Sequence, residues 1–245
     1  MQNKDAEMKF FDTAVCESPW TTFNTNGQHQ IFKLFEQLVK PQDKEIALDM
    51  GCGTGEFSEK LLEYGLTVHS IDISKKAIDY CKEKYKDKHI FFDVQDIEYT
   101  SYADESVDVI FFGGVLHHFP YREAVFKEAY RILKKNGRIF AFDPNYYNLV
   151  IWIYREKLGI KTQKTENEVL LKAEEIEQEL KKTEFSEIIV KSTSHMTFGT
   201  GYFKKLVPYP LYYCVHVYNL LEMALHLIKP IRETYGSFVI TFAKK

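Results

Sequence analysis

From residue 45 onward, short runs of apolar and β-branched residues alternate with longer stretches whose apolar positions recur every three or four residues. "EIALDM" (45–50) predicts a first strand, and "EFSEKLLEYG" (56–65) a helix ending at Gly65. "TVHSID" (67–72) predicts the second strand, followed by Ser74 as the N-cap of a helix over "KKAIDYCKEKYK" (75–86). "HIFFDV" (89–94) and "VDVIFF" (107–112) read as the third and fourth strands. Pro120 is expected to open the helix "YREAVFKEAYRILKK" (121–135), and Asn136–Gly137 to turn the chain into a fifth strand, "RIFAFD" (138–143). "EIIVKST" (187–193) and "SFVITFA" (237–243) complete the series, and a helix is expected over 28–39.

Strands alternating with helices imply right-handed crossovers and an α/β fold, a mostly parallel sheet with helices on both faces. Ligands of such sheets bind beyond the carboxyl ends of the strands. Asp49, Asp72, Asp96, Gly113 and Asp143 each lie at or just after a strand's end, so the pattern gathers them on one rim.

Composition narrows the classes. A chain of 245 residues with 45% hydrophobic and 27% charged content suits one large globular domain. The net charge of -3 and pI of 6.3 give no basic field for nucleic acid. Cys16, Cys52, Cys81 and Cys214 show no metal-ligand spacing and read as reduced thiols of a cytoplasmic protein. The start, "MQNKDAEMKFF", lacks the apolar core of an export signal. No metal is expected.

The chemistry concentrates in "LDMGCGTGEF" (48–57). Its Gly51-Cys52-Gly53-Thr54-Gly55 is GxGxG, not the GxGxxG that sets a pyrophosphate on a helix N-terminus. Glu56 in the first helical turn and Asp49 before the glycines repel phosphate and favour cations. S-adenosylmethionine, with an ammonium, a sulfonium and no phosphate, fits such a turn. Together "LDMGCGTGEF", "VHSIDIS", "VQDIE" and "VDVIFFGGVLHHFP" resemble the ordered motifs of class I S-adenosylmethionine-dependent methyltransferases, closest to those acting on small molecules and lipid intermediates.

The resemblance implies a Rossmann-like, seven-stranded sheet with its last strand antiparallel. It implies cofactor contacts at Asp49, Gly51, Cys52, Gly53 and Gly55 for the methionine end and at Asp72 for the ribose hydroxyls. Asp96 and Ile97 would meet the adenine, Ile73 its other face, and Gly113 and Gly114 would floor the sulfonium. Each acid has a purely structural alternative, a strand-end carboxylate satisfied by a helix N-terminus or a turn.

His117 and His118, after the fourth strand, are the candidates for a base, since imidazole takes a proton near neutrality. The structural alternative is that one caps the next helix and the other packs beneath it. Asn145, Tyr146, Tyr147 and His195 are candidates for acceptor contact. "DPNYY" (143–147) only superficially resembles the motif of nucleic-acid amino-methylating enzymes, which belongs after the fourth strand.

Aromatic residues, 15% of the chain, crowd outside the sheet segments. The organisation predicted is one methyltransferase domain: residues 1–44 as N-terminal lid and helix, 45–143 as cofactor-binding core, 144–182 and 194–235 as a roof over the acceptor, and 236–245 as the last strand. Residues 206–228 carry one formal charge, Glu222, and His216, Asn219, Glu222 and His226 share a helical stripe. That segment packs on the core, lines a greasy pocket, or lies on a membrane with Lys204, Lys205, Lys229 and Arg232 near the headgroups. The expected activity is methyl transfer to a small, lipophilic acceptor, with peripheral membrane contact through residues 202–230. A non-catalytic cofactor-binding protein that docks a lipid or protein partner is the main alternative, and a nicotinamide-dependent oxidoreductase a weaker one.

Overall fold

The computed structural model describes residues 3–17, 25–148, 152, 167–193 and 227–245. Helices α1 (Lys4–Glu17) and α2 (Thr25–Val39) precede β1 (Ile46–Met50), α3 (Glu56–Leu62), β2 (Thr67–Asp72), α4 (Lys75–Lys84), β3 (Ile90–Val94) and β4 (Val107–Gly113). A 3-10 turn (Leu116–His118) leads to α5 (Glu123–Ile132) and β5 (Leu133–Pro144). Then come α6 (Ala173–Lys182), β6 (Ser186–Thr193), α7 (Lys229–Tyr235) and β7 (Phe238–Lys244).

The seven strands form one sheet in the order β3-β2-β1-β4-β5-β7-β6. Strands β1 to β5 pair in parallel, and β7 runs antiparallel to both β5 and β6. The last strand is thus the reversed one, as expected. The order switches direction beside β1, so the crevice between the ends of β1 and β4 is where this topology binds ligands.

Both faces of the central strands are covered, which is why β4 reads as an apolar run from Val109 to Phe112. Val109 and Phe111 point to the face packed by Phe32 and Phe35 of α2 and Leu61 of α3. Ile110 and Phe112 point to the other, packed by Val125, Phe126 and Ala129 of α5 and by Ile176 and Leu180 of α6. Phe111 stacks on Phe32 and Phe140 and meets Phe35 and Phe142 edge-on. Arg138 fastens the opposite end of the sheet, donating two hydrogen bonds to Glu45, at 2.7 and 2.8 Å, and one to the Val39 carbonyl.

Two boundaries differ from the sequence pattern. Pro120 does not open α5, which begins at Glu123. The buried Arg122 delays it, because its guanidinium donates to the Phe119 carbonyl and to both oxygens of Glu179 on α6. Nor do Asn136–Gly137 precede β5. Leu133 already pairs with Val107, the next paired residue is Arg138 opposite Val109, and the residues between form a bulge with Asn136 at φ 67°.

Phe111 is fully buried at the centre of the aromatic layer. Phe111→Ala is expected to cost about 3–5 kcal/mol, the usual loss for a buried aromatic ring. Denaturant unfolding of the two proteins checks this; a change below about 1 kcal/mol would show that the layer is not the core.

Candidate functional site

The glycine turn leaves β1 and is pinned by β2. The N–H groups of Gly51 and Cys52 donate to the Ile71 carbonyl at 2.8 and 3.0 Å, and that of Gly53 donates to Asp72 Oδ2 at 2.9 Å. Asp72 Oδ1 accepts the Ser74 N–H at 2.8 Å, while Ser74 caps α4 through the Ala77 N–H, as its sequence position predicts. Gly51, Gly53 and Gly55 all have positive φ, at 81°, 51° and 77°. They differ in surroundings. A Cβ on Gly51 would strike Val115 and one on Gly55 would strike Tyr85, whereas one on Gly53 would meet nothing within 4 Å among the described residues. Gly53 is therefore where a ligand can approach the main chain.

Asp49 lies buried beneath this turn. Its Oδ2 accepts the Ser58 hydroxyl at 2.7 Å, and its Oδ1 is buried without a hydrogen-bond partner among the described residues. Burial raises its pKa to about 7, partly opposed by Ser58 and reinforced by the charge of Asp72. Burial also raises the pKa of Asp72, against the two backbone N–H groups that favour its charged form. A fully buried carboxyl with an orphaned oxygen beside a turn free of phosphate-binding features suits a ligand's cationic group. Cys52 is buried in the same wall, its thiol pKa raised first by its hydrogen bond with Cys81 and then by burial. Glu56 is half-buried at the start of α3, with its pKa also raised by burial.

The other expected cofactor contacts are differently placed. Ile73 is partly exposed beside Asp72, and Ile97 is buried in the main core cluster. Asp96 forms an ion pair with Lys4 of α1 at 2.5 Å and accepts the Glu98 N–H. Gly113 is filled in by Phe57, so its missing side chain serves packing, while Gly114 has only the His117 ring near it, at 3.9 Å.

The two histidines stand apart in their partners. His117 Nδ1 lies 2.9 Å from Asp143 Oδ1, which also accepts the His117 backbone N–H at 3.1 Å. An oxygen that already accepts a backbone N–H is best matched by a ring Nδ1–H, which leaves the lone pair on Nε2. Burial pushes the Asp143 pKa well above its ordinary value, opposed by the backbone N–H of His117, the charge of Arg122 and the backbone N–H of Leu116. His118 turns instead towards carboxylates, with Nδ1 3.4 Å from Glu7 and 3.9 Å from Glu168, and its ring meets Phe11 edge-on.

Of the expected acceptor contacts, Asn145 is engaged elsewhere. Its amide donates to the carbonyls of Thr234 and Gly236 at 2.9 and 2.7 Å and its oxygen accepts the Tyr147 N–H, so it clasps the chain entering β7. Tyr146 is exposed with Lys172 over its ring, and the Tyr147 hydroxyl bonds Glu174 on α6. His195 and residues 202–226 lie outside the described residues.

Lys4, Glu7, Asp12 and Glu168 join the site without having been anticipated. Asp12 accepts the Ser74 hydroxyl at 2.6 Å, and Asn167 donates to Glu7 at 2.8 Å. The Val169 N–H bonds the His117 carbonyl, which seats that loop against the histidines. Only the polar, non-periodic character of "KTENEV" signalled anything there.

Residues 48–141 match the model of a family described as methyltransferase domain. Over these residues the chain is similar to methyltransferase domains. The matched span runs from the glycine turn through the histidine turn and into β5. A ubiquinone biosynthesis O-methyltransferase of Coxiella burnetii is 31% identical over 124 residues, which are 50% of this chain and 52% of that protein. A demethylmenaquinone methyltransferase of Lactobacillus johnsonii is 29% identical over 114 residues, 44% of this chain and 47% of its own. The chain thus spans about half the length of these curated relatives. Among solved structures, a Haemonchus contortus phosphoethanolamine N-methyltransferase in complex with S-adenosylmethionine shares the fold, with a TM-score of 0.65 at 17% identity. That similarity covers 98% of this chain and 57% of the other.

The raised pKa of Asp49 gives the domain a pH signature. A bound cation favours the ionised carboxylate, so binding releases a proton below about pH 7. Affinity for S-adenosylmethionine is expected to rise with pH by up to about tenfold per unit and level off above pH 7. In Asp49→Asn calorimetry should find weaker binding without this slope; the same slope in the variant would assign it to another group.

Proposed function

We propose that the chain transfers a methyl group from S-adenosylmethionine to a small, lipophilic acceptor. The observation that carries the reading is the buried Asp49 carboxyl, with its orphaned oxygen, directly beneath an open glycine turn. The cofactor, when bound, supplies a methyl group already activated by its sulfonium, with a neutral thioether as leaving group. The chain's part is to hold the reacting atoms in line, because positioning supplies much of the rate in such a displacement.

Asp49 opposes the cation and the main chain at Gly53 admits it closely. Each Asp72 oxygen, already holding one backbone N–H, keeps a second lone pair for a ribose hydroxyl. Glu56 at the α3 N-terminus stands where a dinucleotide's pyrophosphate would need positive surroundings, which disfavours the oxidoreductase reading. The histidine turn forms the acceptor side: Asp143 fixes the His117 ring, and α1 and the 167–171 segment close around His118.

The names of the two curated relatives refer to ubiquinone biosynthesis and to demethylmenaquinone, which supports an acceptor of the quinone-precursor class. Among the described residues no helix is long and apolar enough to cross a membrane. Contact with a lipid surface through residues 202–230 is part of the same proposal and suits such an acceptor. Flotation of the full chain with liposomes tests it, and a protein left wholly in the bottom fraction would overturn it.

Activity is tested by release of S-adenosylhomocysteine from S-adenosylmethionine with hydroxylated quinone precursors. Turnover is expected with the intact chain, and His117→Ala should lower kcat by roughly 10²-fold, the scale of losing one positioned group. Cofactor affinity should be unchanged in that variant. Cofactor binding without release across such acceptors would favour the non-catalytic binding protein.

A further inference from the structure

We propose that His117, His118 and Glu168, with Glu7 closing from α1, bind a divalent transition-metal ion. The three residues each offer one ligand atom, and these atoms lie within 4.8 Å of one another. Two imidazole nitrogens and a carboxylate oxygen form the donor set of open zinc sites, in which a fourth position is left for water or substrate. Magnesium or calcium would instead ask for oxygen ligands throughout. Ligand atoms around a tetrahedral zinc stand about 3.4 Å apart, given bonds of about 2.0–2.1 Å. Small side-chain rotations would close the cluster to that spacing.

The surroundings support the assignment independently of the spacing. Asp143 engages His117 Nδ1 at 2.9 Å, the carboxylate–histidine arrangement that orients imidazole ligands in metal sites and leaves Nε2 as the ligating nitrogen. Asn167 donates to Glu7 Oε1 at 2.8 Å, and the other oxygen of Glu7 lies 3.4 Å from His118 Nδ1. Glu7 and Glu168, with side chains only 4% and 8% exposed, sit against His118, and Asp143, 2% exposed, sits against His117, whose ring is 4.1 Å from that of His118. Glu7 from α1 and Glu168 from the loop before α6 bring carboxylate oxygens to the same imidazole, the mixed nitrogen and oxygen donor set that a divalent transition-metal ion takes up.

The role of the ion rests on the methyl-transfer reading; the site itself does not. On the acceptor side, an ion at this position takes the acceptor's oxygen as its open ligand and makes that hydroxyl more acidic. The proton then passes to solvent before the oxygen attacks the methyl group. This selects oxygen acceptors over amines.

The test uses the full chain, stripped with a chelator and titrated with Co2+ as a visible probe, then challenged with Zn2+. One equivalent of Co2+ is expected to bind with the absorption of a low-coordinate nitrogen and oxygen site, and Zn2+ to displace it. His118→Ala and Glu168→Gln should each weaken binding by at least about tenfold. Glu168→Gln lies in a loop and keeps the test open if His118→Ala does not fold. S-adenosylmethionine binding is measured by calorimetry on the same samples. Cofactor binding with no stoichiometric Co2+, or Co2+ affinity unchanged in both variants, would overturn the metal site. Co2+ binding that responds to both variants in a protein that ignores S-adenosylmethionine would uphold the site and overturn the methyl-transfer reading instead.

Discussion

The Asp72 carboxylate is the contact on which the site's geometry depends. One oxygen holds the Gly53 N–H of the glycine turn and the other holds the Ser74 N–H at the start of α4. Three segments (the end of β2, the turn after β1 and the α4 N-terminus) are thereby fixed to one another by a single buried side chain. Hydrogen bonds to a charged group contribute about 1.5–3 kcal/mol, and more is lost when buried N–H groups are left unmatched. A turn of three positive-φ glycines has little conformational preference of its own, so this outside restraint is what gives it one shape.

On either side of that turn the chain uses buried charge. Beneath it Asp49 is buried, where desolvation costs the ionised form and one carboxylate oxygen has no hydrogen-bond partner among the described residues. Above it α1 brings Lys4 to Asp96, Asp12 to Ser74 and Glu7 to the histidine turn. These contacts are polar and charged, so the seating of α1 responds to salt and pH more than an apolar helix interface would.

Much of the architecture was legible because strands covered on both faces must read as apolar runs, and "VDVIFF" and "SFVITFA" do. Ser74 was legible as a cap because its position before the periodic stretch of α4 has one physical meaning. The ends of α5 were not. Pro120 is a good opening residue, but the Arg122 guanidinium, held by Glu179 57 positions later, delays the helix, and no local pattern encodes that. The bulge at Asn136 likewise follows from pairing of Leu133 with Val107 across the sheet. Within the site, the strand-end acids were visible, but their partners were not. Lys4 with Asp96 and Glu7 with Asn167 are contacts between residues 92 and 160 positions apart, formed by polar side chains with no periodicity. Asn145 shows a role that no local pattern announces: a polar residue after a strand at the rim, whose amide holds the backbone around Gly236.

The central claim is that the glycine turn and the carboxyl beneath it form a seat for a cationic nucleoside thioether. A crystal structure of the full chain grown with S-adenosylmethionine tests it most directly. The account predicts the ligand's ammonium within hydrogen-bond reach of Asp49, directly or through one water, its chain passing over Gly53 and its ribose on Asp72. Density for the ligand elsewhere, with the Asp49 oxygen still facing only protein, would contradict it.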